Sequence, residues 1–148
     1  MQSRTFSWKP TEAVRFLVLT TCLFVLTLAC APDRPPSVTI VEPADGSAIS
    51  GSDVAIQLSA SGIRITPASV REPGTAHHHL FLDIEATAPR TKIPAGRTGI
   101  IHLGKGDSTF VFRNVAPGRH RIIAMLGDSA HVPVEPLSTD TVHVMVEP

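Results

Sequence analysis

From Ser37 onward the chain never keeps an apolar i, i+3, i+4, i+7 stripe for three helical turns. Short runs rich in Val, Ile, Thr and Phe alternate instead with clusters of Gly, Pro, Asp and Ser. That punctuation argues against a helical domain. It predicts strands near Ser37–Glu42, Asp53–Ala60, Gly62–Thr66, His78–Glu85, Gly99–Leu103, Thr109–Asn114, Arg119–Leu126 and Asp140–Glu147. Turns fall between them, as at Pro43-Ala44-Asp45-Gly46, Gly104-Lys105-Gly106-Asp107 and Gly127-Asp128. Seven or eight short strands in this span make an all-β fold, an antiparallel immunoglobulin-like β-sandwich. Val115-Ala116-Pro117-Gly118-Arg119-His120 has the spacing of a tyrosine corner with His in the ring position, so His120 is expected to bond backbone rather than a ligand.

The residues before Ser37 read as an address. Arg4, Lys9 and Arg15 against Glu12 precede Phe16 to Ala29, an uncharged apolar run of 14 residues. A bilayer span needs about 20, whereas this length fits a signal-peptide core. The run ends in Leu26-Thr27-Leu28-Ala29-Cys30, which resembles the bacterial lipobox, although Thr27 and Leu28 depart from its commonest residues. The resemblance implies cleavage before Cys30 and acylation of that residue; ordinary secretory cleavage or an uncleaved anchor are the alternatives. The expected organisation is a lipoprotein signal peptide over 1–29, a Pro-rich tether over 30–36 and one β-sandwich over 37–148. Ala31 after the Cys resembles the arrangement that sends lipoproteins to the outer membrane of Gram-negative cells.

Composition then removes several functions. The only cysteines are Cys22 and Cys30, so the exported domain has no thiol for a disulfide, a Cys-based zinc site or a nucleophile. Beyond Cys30 ten Lys and Arg face twelve Asp and Glu without a basic run, which argues against nucleic acid as a partner. The aromatics there are Phe81, Phe110 and Phe112, too few to stack bases and a weak basis for holding sugars.

The histidines are the one constellation with chemistry. In His77-His78-His79-Leu80-Phe81-Leu82-Asp83, strand alternation puts His78, Leu80 and Leu82 on one face and His77, His79, Phe81 and Asp83 on the other. Two imidazoles two residues apart, with Cα atoms roughly 6.5–7 Å apart, can converge on one ion through bonds of about 2.0–2.1 Å. His77 and His79 are therefore half of a zinc or copper site, with His102 and His131 as candidates for the rest and Asp83 as a ligand or a partner for one imidazole. Facing away from the core, this pair is expected to be removable without unfolding, and affinity to fall as pH drops through about 6.5. The plain alternative is that these His bond carbonyls or face water at a strand end. His143, alternating with Val142, Val144 and Val146, is expected on a solvated face.

Gly127-Asp128-Ser129 followed by Asp140 to His143 echoes blocks of an esterase family. Those blocks lie far apart on an α/β fold, and a second Gly-Asp-Ser at 106–108 sits in a hairpin turn, so no hydrolase is expected. Gly74 to Asp83, Ile101-His102-Leu103-Gly104, Ala116 to His120 and Leu126-Gly127-Asp128-Ser129-Ala130-His131-Val132-Pro133 together resemble the bacterial domain-of-unknown-function family 4399, mostly small exported proteins. The resemblance spans about Gly74 to Pro148 and assigns no chemistry. Family members commonly carry a further His where this chain has Val134, which implies a site one ligand short. The expected function is a non-enzymatic, membrane-anchored envelope lipoprotein binding zinc or copper. The alternatives are a protein or glycan interaction module without metal and, behind it, a metalloenzyme with an open three-His site. Cys30→Ser should release the protein from the membrane, read by detergent partitioning; equal retention would overturn the anchor.

Overall fold

The structure, a computed structural model, describes residues 34–148; the signal segment and Cys30 lie outside them. Nine strands form in chain order: β1 (Ser37–Glu42), β2 (Ala48–Ser50), β3 (Val54–Ser61), β4 (Arg64–Ile65), β5 (Thr75–Leu82), β6 (Ile100–Leu103), β7 (Thr109–Phe112), β8 (Gly118–Gly127) and β9 (Thr139–Glu147). No helix occurs among the described residues. One sheet runs β1-β3-β7; the other runs β2-β9-β8-β5-β4, with β6 also pairing β5.

Period-two alternation makes the core. Val38 and Ile40 of β1, Val54, Ile56 and Leu58 of β3 and Phe112 of β7 turn toward Leu80 of β5, Ile122, Ala124 and Leu126 of β8 and Val142, Val144 and Val146 of β9. All of these are buried. The long strands pair antiparallel, β8 with β9 from Gly118↔Val146 to Met125↔Thr139 and β5 with β8 from His77↔Gly127 to Leu82↔Ile122. The fold is thus the expected immunoglobulin-like sandwich, trimmed at its edges by two short parallel pairings, β2 on β9 and β4 on β5.

Two strands differ from expectation. β2 has three residues and leans on Met145–Glu147, too short to register as a run in the sequence. β5 begins at Thr75 instead of His78, because Arg64 and Ile65 pair with Thr75 and Ala76 and the Thr75 hydroxyl donates to the Glu72 carbonyl at 2.7 Å. It stops at Leu82, since Asp83 takes φ 57°. The triple His therefore lies inside the strand, not at its start.

A small second core, also unexpected, sits on the outer face of the larger sheet. Phe81, Ile123 and Met125 point away from the sandwich and are covered by Ile93, which the loop between β5 and β6 folds back over them. Leu80→Ala, deleting a fully buried side chain at the sandwich centre, should cost about 2–5 kcal/mol. The far-ultraviolet spectrum should be that of β structure and unfolding should be insensitive to reductant; a substantial helical signal would contradict this fold.

Candidate metal centre

The four rings of the cluster are placed by three different pieces of the fold. His77 and His79 project from the outer face of β5. His102, on β6, sits directly opposite His79 in the ladder, and Met125 of β8 flanks His79 on the other side. His131 arrives from the loop after β8, held by Asp128. The Asp128 carboxylate accepts from the Ala130 and Val132 amides, both at 2.9 Å, while the His131 amide donates to the Asp128 carbonyl at 2.9 Å. This side-chain-to-backbone pinch lets His131 take φ 61° and aim its ring at β5.

The result is four imidazoles whose ligand nitrogens all lie within 4.8 Å of one another. The Nε2 atoms of His77 and His79 are 2.9 Å apart, and those of His102 and His131 are 3.1 Å apart. In each short pair one N–H donates to the other ring's lone pair, which requires the accepting ring to be neutral. All four sequence candidates are brought together. The cluster needs room beside it. A methyl group at Gly127 would come within 2.8 Å of His79 Nε2 and 3.2 Å of Ile93, and one at Gly104 would run into the His102 ring. The sequence marks both glycines only as turn residues, because nothing along the chain says which ring will lie over them.

The exposure of the site differs from expectation. His77 and His79 face away from the main core, but both are buried, to 0% and 1% exposure, with Ile93 of the folded-back loop beside His79. That loop is tied down by the Ile93 amide donating to the His131 carbonyl at 2.7 Å and, at the surface, by Arg90 donating to Glu135 at 2.9 Å. Ile93 is a lone apolar residue between Lys92 and Pro94, and that isolation was the available signal of a lid. His102 remains exposed and His131 half-buried, so the cluster opens to solvent on one side.

Burial, and then the neighbouring imidazoles His102 and His131, push His77 down to about 4, against a partial opposing pull from the Asp128 charge. Burial and the His77 ring push His79 down to about 3. His102 is lowered by burial and by His131. Proton competition for the buried pair therefore starts well below the 6.5 expected from unperturbed imidazole. The Nδ1 atoms of His77 and His79 are buried without a hydrogen-bond partner. An imidazole lacking an acceptor behind it is a weaker ligand than one backed by a carboxylate or carbonyl.

The other candidates lie elsewhere. Asp83 is turned away, accepting from His120 Nδ1 at 2.7 Å and from the Arg121 amide at 2.9 Å, so it neither binds with the cluster nor orients one of its rings. His120 also donates through Nε2 to the Ala116 carbonyl at 2.8 Å, the corner contact expected of it. Burial pulls its pKa down, but the Asp83 hydrogen bond, the Ala116 carbonyl and the Asp83 charge outweigh that and leave it raised. His78 faces the sandwich and donates to the Asp107 carbonyl at 3.0 Å. His143 sits on the exposed edge of β9 against Asp45. Val134 packs on the main core, so the four-ring cluster takes nothing from that position.

Residues 56–147 match the family described as Domain of unknown function (DUF4399). The chain belongs to that family. All four clustered rings, the lid and the Asp128 loop fall inside the DUF4399 match. No functionally curated protein matches the chain significantly. Among solved structures it is similar to the fibronectin(III)-like modules of Clostridium thermocellum CbhA, at 14% identity and a TM-score of 0.44 over 74% of this chain and 96% of that one. It is also similar to a human PKD domain, at 12% identity and a TM-score of 0.41 over 81% and 89%. A third likeness, at 12% identity and a TM-score of 0.47, is to an engineered protein, with 78% of this chain covered and only 21% of that one. These are likenesses of fold; the sandwich class itself rests on the sheet topology above.

The depressed values carry a sign. His77 and His79 stay neutral in the fold but are protonated in the unfolded chain below about 6.5. Stability is therefore full above pH 6.5 and lost as pH falls from there toward 4. Urea midpoints should decline across that interval. His77→Leu/His79→Leu, which removes both titrations and both orphaned nitrogens, should flatten the decline; an unchanged slope would show that these rings do not cause it.

Proposed function

We propose that this DUF4399 domain is a membrane-anchored module of the bacterial envelope that holds a zinc or copper ion, without catalysis, in the cage of His77, His79, His102 and His131. The observation that carries this reading is the convergence of four ligand nitrogens within 4.8 Å, drawn from β5, β6 and a pinned loop that share no sequence neighbourhood. Scattered surface histidines have no reason to meet, and their mutual desolvation is a cost that an ion would offset. Neutral nitrogen ligands without sulfur or carboxylate suit Zn²⁺ and Cu²⁺.

An exchangeable ion fits better than a structural one. The sandwich core is assembled independently of the cluster, and the unbacked Nδ1 atoms of His77 and His79 lower the affinity that four imidazoles would otherwise give. Buffering or delivery of the metal is the corresponding role. The non-enzymatic reading is supported by the engagement of Asp83, the acid nearest the triple His along the strand and the natural choice for a general base, with His120 and Arg121. The envelope location, with a lipid on Cys30 and the domain on the periplasmic side at the outer membrane, is supported by the signal-like N-terminal segment.

Calorimetry with Zn²⁺ and Cu²⁺ on the chain purified without an affinity tag should give one site. His77→Leu/His79→Leu should abolish it. Leu is preferred to Ala, because burial under the lid means the Ala pair would leave a cavity and destabilise the fold, contrary to the expectation from strand alternation alone. His143→Ala should leave binding unchanged. Gly127→Ala should weaken it by roughly tenfold or more by displacing His79, with the β spectrum retained. Weak, non-stoichiometric uptake insensitive to the His77/His79 pair would return the protein to the interaction-module reading.

A further inference from the structure

The four rings are unevenly spaced. Five of the six ring-centroid distances fall between 4.6 and 5.0 Å, whereas His79 and His131 stand 5.8 Å apart. Two faces share that edge, and one of them, formed by His79, His102 and His131, lies opposite His77. That same face borders a cavity of about 100 Å³ that is also lined by Ile93, Ala95 and Ile100. His77 does not line it.

We infer that an ion in the cage keeps a fifth coordination position on this face, filled by a small exogenous ligand, neutral or singly charged, that enters from the cavity trans to His77. The inference rests on the metal reading above and deepens it. Three rings on the open face would become the equatorial set, and His77 and the incoming donor atom the two axial positions. Zinc expands from four to five ligands and Cu²⁺ commonly takes five, so neither ion forbids the position.

The walls choose the ligand. Besides the three imidazoles, the cavity is lined by Ile93, Ala95, Ile100 and their neighbours, with no Lys, Arg or hydroxyl side chain. A sulfate or phosphate would give up strong hydration and find no compensating donor there. A linear or diatomic ligand with one donor atom and little hydration loses less and is held by the ion itself. The volume admits only a few heavy atoms, and the exposed Pro94-Ala95-Gly96 rim lets them in.

The test uses the full chain in detergent, loaded with Cu²⁺, with metal stoichiometry measured before and after each titration. Sodium azide is the probe and sodium sulfate its control. Azide should produce a saturable azide-to-copper charge-transfer band and a shifted electron paramagnetic resonance spectrum with the copper retained; sulfate should produce neither. Ala95→Phe, which narrows the rim and leaves all four rings in place, should keep copper binding and weaken azide by roughly tenfold or more. Copper that binds stoichiometrically with a spectrum unmoved by azide overturns the fifth position and leaves the four-His cage standing. Azide that strips the copper, or binds Ala95→Phe equally well, also overturns it. Failure to bind copper or zinc at all overturns both readings together.

Discussion

Burial of β5 on both of its faces is the constraint on which the rest of the molecule depends. One face supplies His78 and Leu80 to the sandwich, and the other presents His77, His79 and Phe81. In an ordinary two-sheet domain that outer face would meet water and carry polar residues. Here Phe81, Ile123 and Met125 leave an apolar patch that has to be covered, and Ile93 covers it. Burying a patch on this side inevitably drags the adjacent imidazoles out of water.

The energetic consequence is a set of polar groups held where polarity is costly. Neutral imidazoles tolerate that environment; imidazolium ions beside one another do not. The fold therefore disfavours charge on His77 and His79, pairs the four Nε2 atoms and leaves two Nδ1 atoms unsatisfied, at a cost on the order of 1–3 kcal/mol each. The large core of β1, β3, β8 and β9 outweighs that penalty, and the exposed flank of His102 keeps the cluster in contact with solvent. Strain of this sort persists in folded proteins mainly where a site has a use for it.

What the sequence revealed depended on distance along the chain. Period-two alternation in Val142, Val144, Val146 and in Val54, Ile56, Leu58 disclosed strands and the inward face, because that signal is local and repeated. The His-x-His pair was readable for the same reason, and His120 was readable from corner spacing. His102 and His131 were recognisable as candidates only by residue type; their meeting is a property of ladder register and of the Asp128 pinch, which no single stretch encodes. The lid was missed because its message is one isoleucine among polar and proline residues. Asp83 was misplaced because alternation assumes the strand continues, and a left-handed residue ends it.

The hydrogen bond from the Ile93 amide to the His131 carbonyl joins the cover to the backbone that carries one of the clustered rings. Lifting the lid breaks this bond and frees the backbone from which the His131 ring projects. An occupant of the cage would feel a latch, not a funnel: its escape time would track the opening frequency of the 86–97 loop, and the exchange of one backbone proton would report it.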